Sequence, residues 1–295
     1  MEEIRGSYLH VIRKAVNLVL VPVSVTDSME RLVTGLTPDN FQIFENKKQQ
    51  LIRNFSSEDV PVSIGLIVDT SGSMKDKMPR VRDAVQEFCD TANLQDEFFM
   101  ITFSDQPRLA QDFTTNPSDV QGQMATAIAS GRTSLLDAIY MGIHKMRDAR
   151  YSRKALLIIS DGGDNHSRYS EREIKAAVME SDVMIYSIGV FDQYMPTEEE
   201  QLGPELLSEI TEPTGGRAFT LNNPADMPSV ATYIGRALRT EYVIGYTPQT
   251  APKDGKWHKI QVKLRLPREL SFLHVHAKQG YYAMANGDGT SGSGQ

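Results

Sequence analysis

The sequence predicts an α/β protein: a doubly wound, mostly parallel sheet with helices on both faces, inserted into a small antiparallel β domain built from both chain ends. Three observations carry this. From Pro61 onward short apolar runs alternate with amphipathic stretches, the pattern of strands buried on both faces and separated by crossover helices. Near the other end, WHKIQVKLRLP sets Ile260, Val262, Leu264 and Leu266 in strict alternation with Lys259, Gln261, Lys263 and Arg265, a half-buried strand with one wet face. At the start, VNLVLVPVSV and FQIFENKKQQLIRNF also read as antiparallel strands, and neither terminal piece holds enough strands to stand alone, so the two are expected to pair.

Residues 1–59 form the N-terminal part of the small domain. His10 to Val25 has the charged-then-apolar outline of a signal peptide, but Val19, Val21, Val23 and Val25 alternate onto one face, no small-residue cleavage site follows, and Pro22 suits an edge strand or bulge. A strand is the better reading. The α/β domain covers residues 60–240, with strands expected at residues 63–69, 98–104, 154–161, 183–190 and 217–221. The helical patterns between them are RVRDAVQEFCDTA, PSDVQGQMATAIA, LLDAIYMGIHKMR, SEREIKAAVME, GPELLSEIT and DMPSVATYIGRALR, several opened by a Ser, Pro or Asp. RLAQDF (Arg108 to Phe113) follows its predecessor after a turn too short for a crossover helix, so it is expected as an antiparallel edge strand. Residues 241–284 complete the small domain, LHVHAKQGYYA repeating the alternation with Leu273, Val275 and Ala277. Residues 285–295 are a Gly/Ser-rich tail expected to be flexible.

Composition narrows the function classes. Hydrophobic residues make up 40% and charged residues 23%, ordinary for a globular chain, and no apolar run approaches the ~20 residues of a membrane span. The net charge of −7 and the lack of a basic block argue against a nucleic-acid partner. One cysteine, Cys89, allows no internal disulfide and no cysteine-based zinc site, and its helical spacing with Val81, Ala84, Val85 and Phe88 places it in the core.

The chemistry is concentrated in IGLIVDTSGSMKDKM, where an apolar strand runs into Asp69, Ser71 and Ser73. Residues two apart in an extended segment point the same way, and Gly72 lets the loop turn back between them. In an open parallel sheet ligands bind outside the carboxyl ends of strands, where Asp69 and also Asp161, closing KALLIISDGGD, are expected. SGRTSLLDAI adds Thr133 just before a helix. Two carboxylates and three hydroxyls, with no His or Cys, suit a hard divalent cation, and magnesium would keep water and an open position. Each piece has an ordinary reading as well. Ser73 with Asp76 and Ser134 with Asp137 both fit a capping box, Asp161 fits a turn, and Asp164 fits a cap or a solvated loop acid.

DTSGS (Asp69 to Ser73), Thr133 in SGRTSLLDAI and SDGGD (Ser160 to Asp164) together resemble the metal-ion-dependent adhesion site of the von Willebrand factor type A (vWA) domain, in the family's order and strand context. The resemblance covers about Pro61 to Arg239, and the flanks resemble bacterial vWA-related proteins that are mostly exported. It implies that Ser71 and Ser73 ligate Mg2+ (or Mn2+) directly, Thr133 directly or through water, and Asp69 and Asp161 largely through water. A partner protein's Asp or Glu carboxylate then completes the site. The rim around it is expected from Met74, Lys75, Arg132, Asp164, Asn165 and His166.

The function expected is therefore a metal-dependent protein-binding module of adhesion type, not an enzyme, on an exported protein. A metal-dependent hydrolase is the main alternative, and it lacks a G-x-S-x-G elbow, a second aspartate two after Asp69 and an evident base beside the serines. A structural assembly subunit whose metal only stiffens loops is the other. His166 reads as an exposed loop residue, His274 and His276 as part of a wet strand face, and Tyr186, Phe191 and Tyr194 as either a contact surface or core and loop packing.

Overall fold

The computed structural model of the chain describes residues 18–161, 163–191, 198–248, 254–266 and 272–283. The leader-like residues 10–17, Tyr194 and the tail at 285–295 lie outside the described residues. The first strands are β1 (Val19–Thr26), β2 (Phe41–Glu45), β3 (Lys48–Gln50) and β4 (Ile52–Ser56). Asn46 and Lys47 join β2 to β3 with φ of 47° and 70°. Two left-handed residues in a row give the primed turn whose twist matches an antiparallel hairpin, and Asn is one of the few side chains that tolerates it.

The central sheet consists of β5 (Ser63–Asp69), β6 (Glu97–Phe103), β7 (Pro107–Thr114), β8 (Lys154–Ser160), β9 (Met184–Val190) and β10 (Ala218–Leu221), in the order β10-β9-β8-β5-β6-β7. All neighbours are parallel except β7, which turns back antiparallel to β6 at the edge. Among the described residues three α-helices cover each face. α1 (Met78–Asp90), α2 (Pro117–Thr126) and α6 (Met227–Arg239) bury Val81, Val85, Val120 and Ile234 on one side. On the other side α3 (Leu135–Lys145), α4 (Glu171–Glu180) and α5 (Glu198–Thr211) bury Ile139, Ile174 and Leu207. With both faces covered, Leu66, Ile67 and Val68 are all fully buried, which is why these strands read as continuous apolar runs. Helix α2 stops at Thr126, short of the expected pattern, because Arg82 binds the carbonyls of Met124 and Ala127 at 3.2 and 3.0 Å and Ser130 N–H is committed to Thr70 O at 2.8 Å.

After α6 come β11 (Tyr242–Tyr246), β12 (Trp257–Leu264), β13 (His274–Ala277) and β14 (Gly280–Tyr282). They join the N-terminal strands in two four-stranded antiparallel sheets, β13-β1-β11-β4 and β14-β12-β2-β3, around Val21, Val23, Ile43, Tyr242, Ile244 and Ile260. Strands from the two ends of the chain thus pair directly, β1 with β11 and β2 with β12. Pro22 lies in the half of β1 that pairs with β11 alone, since β13 reaches only Val23 to Thr26. LHVHAKQGYYA is not one strand but two in different sheets. The break at Lys278 and Gln279 is held by the central domain: Lys278 Nζ binds Asp182 at 2.6 Å, and Gln279 N–H donates to Pro213 O at 3.0 Å. A second tie is the buried pair of Arg153 and Glu241 at 2.7 Å.

Candidate metal centre

From β5 the chain steps to β6 on one side, while β8 pairs on the other, so the carboxyl ends of β5 and β8 flank the point where strand order reverses. That is the place where open α/β sheets bind ligands. Asp69 ends β5 and Asp161 follows β8. Asp69, Ser71, Asp161 and Thr133 are only 0%, 1%, 2% and 5% exposed, an unusual depth for carboxylates, while Ser73 faces solvent. Ser160 Oγ donates to Asp69 Oδ2 at 2.6 Å and Ser71 N–H to Asp69 Oδ1 at 2.8 Å, fixing the carboxylate. Ser71 Oγ and Ser73 Oγ lie 3.0 Å apart.

Thr133 is brought in by its loop. Gly72 N–H donates to Gly131 O at 3.0 Å and Ser134 N–H to Ser104 O at 2.9 Å. Gly131 has φ of 84° and leaves room for Asp105, which accepts Arg132 N–H at 2.9 Å; a Cβ at Gly131 would stand 2.8 Å from the Asp105 carboxylate. From the third loop, Asn165 and His166 N–H both donate to Thr133 O at 3.1 Å, and Asn165 Oδ1 accepts Thr133 N–H at 3.1 Å. Thr133 is therefore clamped on two sides.

The electrostatics are those of two buried carboxylates set close together. Burial first, and the Asp161 carboxylate second, push the Asp69 carboxyl up to about 7. The positive charge drawn into the pair is Lys77, whose Nζ donates to Asp161 Oδ2 at 3.1 Å and to Val190 O at 3.2 Å. The donor set also fits a hard cation in its spacing, because neighbouring ligands of an octahedron with bonds of ~2.1 Å stand about 3.0 Å apart, the separation of the two serine hydroxyls. Among the described residues no group of three or more His, Cys, Asp or Glu side chains forms a metal cluster, so hydroxyls must carry much of any coordination.

Two expected rim residues are placed differently. Met74 is fully buried and packs in the core under α1, because the short helical turn at Gly72–Met74 rotates it inward. Asp164 is spent inside the loop: its carboxylate accepts Leu136 N–H at 2.9 Å and Ser167 Oγ at 2.6 Å, so it anchors the start of α3. Lys75, Arg132, Asn165 and His166 are exposed, with Arg132 Nη1 3.2 Å from His166 Nδ1. Neither capping box forms. α1 begins at Met78 with no side-chain cap, Ser134 makes no cap bond and its buried Oγ has no partner, and Asp137 instead accepts Arg168 and Tyr169 N–H at 2.9 and 3.1 Å. Tyr186 and Phe191 are buried, so these two belong to core packing. Lys77 is the residue that sequence reasoning missed, since nothing in SMKDKM distinguishes it from the solvated Lys75.

Residues 64–163 match the family model of the von Willebrand factor type A domain. The match falls within the central domain, from β5 to just past β8. Among solved structures, a von Willebrand factor type A protein from Catenulispora acidiphila is similar at 12% identity with a TM-score of 0.53, over 92% of this chain and 74% of its own. A D319A mutant of the PilB minor pilin from Streptococcus sanguinis is similar at 12% identity and TM-score 0.51, over 61% of this chain and 62% of its own. Proximal thread matrix protein 1 from the mussel byssus is similar at 16% identity and TM-score 0.50, over 64% of this chain and about half (49%) of its own. At these identities the likeness is one of fold. A search of curated proteins finds no match. No helix among the described residues is long and apolar enough to cross a membrane.

Proposed function

We propose that the central domain is a vWA domain and works as a divalent-cation-dependent protein-binding module of adhesion type that captures an Asp or Glu carboxylate of a partner. The observation that carries this reading is the all-oxygen set at the switch point, buried except for Ser73, with two serine hydroxyls at cis-ligand spacing beside a carboxylate pair. Ser71 and Ser73 would hold Mg2+ or Mn2+ directly, Thr133 directly or through water, and Asp69 and Asp161 largely through water. The bound cation would supply a Lewis-acid position on the surface that reverses the sign of an otherwise acidic site. The protein's own part is to fix the hydroxyls: Asp69 orients the Ser71 backbone, Ser160 orients Asp69, and Asn165 with His166 holds Thr133 in place. Lys75, Arg132, Asn165 and His166 form the exposed rim that would select the partner.

A nucleophilic enzyme is the weaker reading, because the hydroxyl nearest Ser71 is another serine and the Asp69 carboxylate takes its bonds from Ser160 Oγ and Ser71 N–H. The fold neighbours include a minor pilin, which accords with an exported, extracytoplasmic protein. The test is retention of native-extract proteins on the immobilised chain in magnesium and in chelator, beside the Ser71→Ala variant. The proposal requires partners held in magnesium, released by chelator and missing on the variant; metal-dependent turnover of ester or phosphate model substrates would replace it with the hydrolase.

A further inference from the structure

Lys77 reaches from the turn before α1 to the carboxyl ends of two neighbouring strands, touching Asp161 after β8 and the Val190 carbonyl that ends β9. Its side chain is 15% exposed and that of Asp161 3%, so the pair is largely withdrawn from water. A buried carboxylate pair without a nearby cation is strongly disfavoured. We infer that Lys77 is a built-in counter-ion of the cation-free site, and that it sets the site's affinity for a divalent cation by competing for Asp161. This rests on the metal reading above, and it assigns a function to a residue outside the ligand set. The flexible four-carbon stem lets the ammonium withdraw while α1 stays in place, and whatever part of its charge remains nearby repels an incoming dication. Two consequences of opposite sign follow from one side chain. Removing the charge weakens the cation-free protein and tightens cation binding.

The test is calorimetric titration of MgCl2 into the full chain and into Lys77→Met, which keeps an unbranched stem of similar length, with Lys77→Arg as the charge-retaining control. Thermal unfolding of all three in chelator is the companion measurement. The inference requires Lys77→Met to bind magnesium on the order of tenfold tighter and to melt lower in chelator, with Lys77→Arg close to the parent in affinity. If Lys77→Met does not fold in chelator, Lys77→Gln is titrated in its place, since its amide still donates hydrogen bonds. Magnesium binding of equal or lower affinity in the neutral variant overturns the inference and leaves the metal site standing. Binding by neither protein overturns both, whereas binding that appears only in the neutral variant supports the inference.

Discussion

Replacing Asp69 by Asn should make the cation-free protein more stable at neutral pH and abolish its response to magnesium. The isostere can preserve the local bonds: Oδ1 still accepts Ser71 N–H, and Nδ2 can donate to Ser160 Oγ in place of the reverse. What is lost is a buried carboxylate facing Asp161. Its pKa rises from 3.8 to about 7 on folding, so between those values the folded state holds a proton that the unfolded chain releases, and wild-type stability falls as pH rises through that window. The shift of about three units is worth on the order of 4 kcal/mol at 1.36 kcal/mol each. Urea unfolding in chelator should therefore show Asp69→Asn near the wild type at about pH 3.5 and more stable by a few kcal/mol at pH 8, as the linkage requires. Magnesium at a hundred times its dissociation constant should add about 2.7 kcal/mol to the wild type alone. An Asp69→Asn protein less stable than wild type at pH 8 in chelator would refute this electrostatic account of the site.

Other expectations are more local. Arg153→Met leaves Glu241, 3% exposed, without its partner at 2.7 Å, and removes a bond to Leu238 O at 2.7 Å; urea unfolding at neutral pH should show a loss of about 3–5 kcal/mol, smaller in acid where burial lets Glu241 take up a proton. Cys89 is buried on the core-facing side of α1 and its thiol is pushed up to about 12, by burial first, so a disulfide reagent should react with it only on the timescale of unfolding; rapid stoichiometric labelling of the native chain would contradict that packing.

Much of the architecture was legible because it depends on period. The doubly covered sheet shows in the unbroken run Ile64 to Val68, and the β7 edge shows in a connection too short for a helix. The meeting of the loop after β5 with the loop before α3 was legible because strand ends and helix starts fix position. Orientation within loops was not. Met74 lies next to Ser73 in sequence yet turns into the core, and Asp164 looks like a rim acid until Leu136 N–H and Ser167 are seen to use it. Lys77 needed the strand order itself, since its partners lie 84 and 113 residues away. The split of β13 from β14 likewise depends on Asp182 and Pro213 of the other domain, which no alternation in LHVHAKQGYYA records.

The most direct test of the central claim is an anomalous difference map from crystals of the chain grown with manganese. The account predicts a peak within about 2.2 Å of both Ser71 Oγ and Ser73 Oγ, beside Thr133, and its loss in Ser71→Ala crystals treated alike. Full occupancy at a position away from these hydroxyls, or no peak beside them at saturating manganese, would contradict it.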